Sequence, residues 1–123
     1  MIIRSSQLEA LAESQQSLFL DRLMDHFRRI WPARVEALGD GYRPFLEAAV
    51  RAARAYELNT EQQIARFTNL WFVWGPGFPT LPEHQWAAEI LHDPERTPHV
   101  RIHQLVYETK MRLPRRAQGA EQD

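Results

Sequence analysis

Residues 59–82 of the chain read NTEQQIARFTNLWFVWGPGFPTLP. Thr60 followed by Gln63 matches a capping box, in which two side chains satisfy free backbone amides at the start of a helix. Gly75 is the residue type that most often ends a helix. The segment therefore predicts a helix that starts at Thr60 and reaches Trp74, followed by a rigid Pro/Gly-rich loop.

The second half of this predicted helix is apolar on every side. On a helical wheel, Phe72 and Val73 point away from the main apolar group. That group comprises Ile64, Phe67, Leu70, Trp71 and Trp74. Such a helix is either central to its domain, covered on both sides by other helices, or has one side committed to a partner. The residues alone leave both interpretations open.

Helical signals recur on the N-terminal side of this segment. A capping box at Ser6 and Glu9 predicts a helix to about Ile30. Pro32 lacks a backbone donor and disfavours helical geometry at the residue before it. Residues 32–38 are therefore expected to form at most a short turn of helix.

A further helix is predicted from about Tyr42 to Leu58. Pro44 falls in its first turn, where a missing backbone N–H does no harm. The predicted inner stripe is Tyr42, Phe45, Leu46, Ala49, Val50, Ala53 and Tyr56.

Two more helices are predicted after the loop. The first runs from Glu83 to Leu91, and the second starts at Thr97 with Pro98 in the first helical position and continues to about Leu113. No stretch shows the sustained alternation of a strand. The sequence thus predicts an all-α fold, a compact bundle of about five helices with the Pro/Gly-rich loop before the fifth.

Size and composition limit the number of domains, the partners and the location that we expect for the chain. Its 123 residues fit a single helical domain at 1–113, with a polar, disordered C-terminal tail at 114–123. A net charge of −1 makes nucleic acid and anionic membranes poor default partners. The absence of cysteine and of an apolar signal or membrane-spanning run makes the cytoplasm the expected location.

The residue patterns that support chemistry are weak. His99 and His103 are spaced to touch one metal ion, but no third ligand accompanies them and we expect ordinary histidines at the edge of an apolar stripe. Asp21 and Asp25 are also at helical spacing, although solvated carboxylates are the commoner case. We therefore expect no enzyme activity, no cofactor and no metal site.

A protein-binding patch is the sharper functional hypothesis. Tryptophan and phenylalanine bury on the order of 150–250 Å² each and are common anchors of interfaces. The hypothesis assigns this role to Phe72, Val73, Trp74, Phe78 and Trp86.

Two blocks of the sequence resemble a known family. Residues 69–78, NLWFVWGPGF, and residues 86–91, WAAEIL, are similar to the aromatic-Gly-x-x-Phe turn and the Trp-Ala-x-x-Ile-Leu helix of small helical proteins encoded beside bacterial type VI secretion effectors. The chain departs from that pattern at Trp74, where phenylalanine is expected, and at Pro79, where aspartate commonly follows the turn.

The resemblance implies an accessory co-chaperone or adaptor with no active site. Its partners would be a secretion adaptor chaperone, an effector or both, and a homodimer is a further expectation. Two alternatives stay open. One is an immunity-type protein that neutralises a toxin by direct binding, and the other is a metal protein or enzyme built around His99 and His103.

Overall fold

The computed structural model describes residues 5–113, with side chains from residue 15 onward. Within these residues the chain forms helices and no strand, which confirms the all-α class. The α-helices are α1 (Ser5–Ile30), α2 (Pro32–Leu38), α3 (Tyr42–Ala55), α4 (Glu61–Trp74), α5 (Gln85–Leu91) and α6 (Pro98–Arg112). The five predicted helices correspond to α1 and α3–α6, and the predicted short turn after Trp31 is α2.

The internal contacts of the chain divide it into two units, Met1–Ala48 and Ala49–Asp123, and the division falls within α3. The single domain predicted for residues 1–113 stays a prediction. The predicted tail at 114–123 lies outside the described residues, and so do the side chains of Ser6 and Glu9.

In the first unit, α1 packs against α2 and presents its buried side chains on one face. These are Phe19, Leu20, Leu23 and Phe27, whose spacing follows the helical period. Tyr42, at the start of α3, is 4% exposed, and its hydroxyl donates a 2.7 Å hydrogen bond to the Met24 carbonyl. This bond ties the start of α3 to the last third of α1.

In the second unit, α6 packs against both α4 and α5. The buried side chains of α4 occupy more than one side of the helix, a point that its apolar pattern had left open. They are Ile64, Phe67, Thr68, Leu70, Trp71 and Phe72. The interior also contains Ala87, Ile90 and Leu91 of α5, Ile102 and Leu105 of α6, and Ala49, Val50, Ala53, Leu58 and Phe78.

Side-chain caps start α4 and α6 where the sequence predicted. The backbone N–H of Gln63 donates to the Thr60 hydroxyl at 3.1 Å, and the side-chain oxygen of Gln63 accepts from the backbone N–H of Thr60 at 3.3 Å. Thr97 likewise accepts from the Val100 amide at 3.3 Å. Gly75 ends α4 with a φ of +113°, a conformation that favours glycine.

Two predicted boundaries are wrong. Helix α3 ends at Ala55 instead of Leu58, because the Leu58 amide donates back to the Ala53 carbonyl at 3.0 Å and Glu57 turns left-handed with a φ of +68°. This arrangement is a Schellman motif. The helix predicted from Glu83 begins instead as a 3₁₀ turn over Pro82–His84, and α5 starts at Gln85.

Candidate protein-binding site

The loop after α4 is held against that helix by hydrogen bonds. The Trp71 indole N–H donates to the Phe78 carbonyl at 3.0 Å. Within the loop, the Thr80 amide and hydroxyl both donate to the Gly77 carbonyl, at 2.9 and 2.7 Å. These bonds hold the loop against α4, and the Phe78 ring beside them is 2% exposed.

Four rings form an aromatic cluster, which we define as Trp74, Phe78, His84 and Trp86. Trp74 stacks on Phe78 with ring centroids 6.1 Å apart, and Trp86 meets Trp74 edge-on at 6.0 Å. His84 lies edge-on to Phe78 at 5.0 Å. Offset-stacked and edge-on pairs are the favoured arrangements of aromatic rings, so each ring in the cluster restrains its neighbours.

Helix α6 holds the two tryptophans of the cluster. The Trp74 indole N–H donates to the Thr109 hydroxyl at 3.2 Å, and Thr109 itself is buried. The Arg112 guanidinium lies 4.3 Å from the centre of the Trp86 ring, a cation–π contact. Both rings are therefore fixed in place while part of each remains at the surface.

The structure separates the five residues of the predicted patch into two groups. Phe72 and Phe78 are each 2% exposed and lie in the interior, so neither ring is available to a partner in this conformation. Val73, Trp74 and Trp86 are partly exposed. Trp74, Phe78 and Trp86 contact one another, whereas Phe72 leaves α4 on the side roughly opposite Trp74. The binding role of the five residues stays a prediction.

Sequence reasoning missed three residues of this site: His84, Thr109 and Arg112. A basic residue in the last turn of a helix is common for electrostatic reasons alone, so Arg112 gave no distinctive signal. His84 precedes α5, and its Nδ1 atom is buried without a hydrogen-bond partner among the described residues. Only the packing of α4 and α5 on α6 brings Thr109 and Arg112 to the tryptophans.

Helix α6 also presents an exposed apolar face. Val100, Tyr107 and Met111 are all exposed, and their spacing places them on one side of the helix. Met111 immediately precedes Arg112, which covers Trp86. None of these side chains belongs to the aromatic cluster, and Thr109, which bonds Trp74, lies on the opposite side of α6.

The residues considered for chemistry are not assembled into a reactive group. His99 and His103 are both exposed, and the described residues contain no group of three or more potential ligands placed to hold a metal ion. Asp25 pairs with Arg28 at 3.1 Å and Asp21 with Arg43 at 3.6 Å. Each aspartate thus has its own arginine. Over residues 5–113, none of the helices combines the length and the apolar character needed to cross a membrane.

Comparison with known proteins finds no family model, no curated protein and no solved structure that matches this chain. The fold and the site define the chain as an all-α protein with an aromatic cluster, in which Trp74 and Trp86 are partly exposed.

Proposed function

We propose that this chain is a non-enzymatic, protein-binding accessory factor, a co-chaperone or adaptor that assists the loading of a type VI secretion effector. It acts in the bacterial cytoplasm on a secretion adaptor chaperone, an effector or both. The resemblance of residues 69–78 and 86–91 to small helical proteins encoded beside such effectors supports the secretion role.

The observation that carries a binding role is the partial exposure of Trp74 and Trp86 on a rigid support. A ring that is already fixed loses little conformational freedom when a partner covers it, so more of the burial free energy appears as affinity. Trp74 is held by Thr109 and Phe78, and Trp86 is held by its ring contacts with Trp74 and Phe78 and by the cation–π contact with Arg112. Tryptophan and arginine are also the residue types most enriched among the dominant contacts of interfaces.

The buried members of the patch support this surface. Phe78 lies beneath Trp74, and the Trp71–Phe78 hydrogen bond sets the position of the loop that carries it. We assign Phe78 to the support of the surface and Trp74, Trp86 and Val73 to contact with the partner.

The test is co-expression of the chain with the products of neighbouring genes, followed by affinity capture. Trp86→Ala is expected to weaken the complex at least about tenfold, because truncating a central aromatic anchor typically costs 2 kcal/mol or more. Trp31→Ala is a matched control. Trp31 is also a partly exposed tryptophan under an arginine, with Arg34 at 5.1 Å, but it lies in the first unit.

Circular dichroism must show that both variants keep their helices. Equal binding by the two variants contradicts the assigned surface. Failure of the wild-type chain to capture any soluble neighbouring product contradicts the proposed function. A deletion strain separates loading from immunity, because loss of a loading factor silences secretion, whereas loss of an immunity protein reduces survival.

A further inference from the structure

The second unit also contains a small pocket, apart from the aromatic cluster. It has a volume of about 230 Å³ and lies where the ends of α3 and α5 meet the first turn of α6. Its walls include Tyr56, Glu57, Leu91, His92, Pro94 and Arg101. Ligand pockets for drug-sized molecules begin at roughly 300 Å³, so this volume suits a smaller molecule.

Arg101 brings a permanent positive charge into the wall of the pocket. The residue is 8% exposed, and its Nε–H donates to the Asp93 carbonyl at 2.9 Å. Among the described residues, its only carboxylate partner is Glu57, whose Oε2 lies 3.5 Å from Nη1. A buried guanidinium is costly unless its donors are satisfied. The single long ion pair leaves donors on its terminal nitrogens for a further acceptor.

Glu57 carries the opposite charge at the rim. Its side chain is 72% exposed, and its backbone is left-handed, a conformation that costs a non-glycine residue on the order of 1 kcal/mol. Glycine is the usual residue at this position of a Schellman motif. The chain instead places a carboxylate there, next to the Arg101 guanidinium.

Tyr56 and His92 form an aromatic part of the pocket wall. Their rings meet edge-on at 5.4 Å. Burial raises the pKa of Tyr56, so its hydroxyl stays protonated and acts as a donor at neutral pH. Within residues 5–113 this hydroxyl makes no hydrogen bond, which leaves it free to bind a ligand oxygen.

We propose that this pocket binds a free α-amino acid, with the ligand carboxylate on Arg101 and Tyr56 and the ligand ammonium on Glu57. Because the two protein charges are only 3.5 Å apart, a ligand that satisfies both must carry its opposite charges on neighbouring groups. An α-amino acid carries its ammonium and carboxylate groups on the same carbon. A peptide end carries only one of them there, and a phosphate dianion is repelled by Glu57.

The experiment titrates the full chain, labelled with ¹⁵N, with each of the common α-amino acids and records amide chemical shifts. At least one amino acid is expected to shift the amides of residues 55–57, 91–93 and 101. Its α-amide and its N-acetyl derivative, which mimic the two peptide ends, are each expected to bind at least about tenfold more weakly, because each leaves one protein charge unpaired.

Two variants assign the roles of the charges. Glu57→Gln is expected to abolish the preference for the free amine over the N-acetyl form while the chain stays folded. Arg101→Met is expected to remove binding. Tyr56→Phe serves in its place if the Arg101 variant unfolds, and is expected to weaken binding severalfold. The proposal is overturned if no amino acid shifts these amides, or if the derivatives bind as well as the parent. Neither outcome bears on the protein-binding function of the aromatic cluster.

Discussion

The indole N–H of Trp71 donates a hydrogen bond to the carbonyl of Phe78, 3.0 Å away and seven residues along the chain. This bond closes the loop onto the helix that precedes it. It also satisfies a carbonyl beside a ring that is 2% exposed, where water has little access. The position of Phe78, and with it the support beneath Trp74, therefore depends on a side chain one turn before the end of α4.

Replacing Trp71 by phenylalanine tests this relation. The substituted ring remains apolar, but the indole N–H is lost and the Phe78 carbonyl no longer has this hydrogen-bond donor. This loss is expected to lower the free energy of unfolding by about 1–3 kcal/mol. Urea denaturation followed by circular dichroism measures the change. Trp31→Phe is the control and is expected to have a smaller effect. Equal effects of the two substitutions would contradict a special role for the Trp71 bond.

The two residues of α4 that point away from its main apolar group are expected to behave differently. Phe72 is 2% exposed, so Phe72→Ala leaves a cavity and should cost about 3–5 kcal/mol in the isolated chain. Val73 is only partly buried, so Val73→Ala should cost clearly less than that. Chemical denaturation of both variants makes the comparison. A Phe72→Ala variant as stable as wild type would mean that this ring lies at a surface.

Helix boundaries set by local side-chain chemistry were predictable from the sequence. Thr60 and Thr97 cap the helices that follow them, and Gly75 ends α4, because each of these signals acts over only three or four residues. The end of α3 was not predictable in this way. The left-handed residue there is Glu57 instead of glycine, so the usual mark of a helix end is missing from the sequence.

The site was predictable only in part, because burial depends on contacts between distant segments. The apolar pattern of α4 indicated aromatic surface without indicating which side is covered, and the structure places Phe72 and Phe78 inside. Arg101 gave no signal at all. A lone arginine in the first turn of a helix is ordinary in sequence, and only the fold brings it beside Glu57.

Because of Tyr42, the free energy of unfolding is expected to fall at alkaline pH. Burial raises its pKa from 10.0 to about 12, with the Asp25 carboxylate adding to the rise and the Arg28 guanidinium opposing it. The hydroxyl proton also forms the bond to the Met24 carbonyl. Above pH 10 the unfolded chain loses this proton before the folded chain does, so the free energy of unfolding falls between pH 10 and about 12.

The Tyr42 contribution is isolated by comparison with Tyr42→Phe, because other groups also titrate in this range. Urea denaturation at intervals from pH 9 upward should give a steeper decline for the wild type than for the variant. Parallel curves would contradict the raised pKa.

His84 contributes an unsatisfied polar atom to the aromatic cluster. Its Nδ1 is buried without a hydrogen-bond partner within the described part of the chain, while its ring lies edge-on to Phe78 at 5.0 Å. An unpaired buried polar atom costs about 1–3 kcal/mol, whereas a ring of similar shape keeps most of the packing. We therefore expect His84→Phe to leave the free energy of unfolding unchanged or to raise it by up to about 1 kcal/mol.

Comparing the free energies of unfolding of His84→Phe and His84→Ala distinguishes the effect of the imidazole nitrogen from the effect of the ring contacts. The alanine variant loses the contacts with Phe78 and Trp74 and should be clearly less stable than the phenylalanine variant. If His84→Phe is destabilised by more than about 1 kcal/mol, either the larger ring does not fit or the imidazole nitrogen is needed. His84→Leu has no polar atom and is smaller than His84→Phe, so a leucine variant that is more stable than the phenylalanine variant shows that the larger ring does not fit.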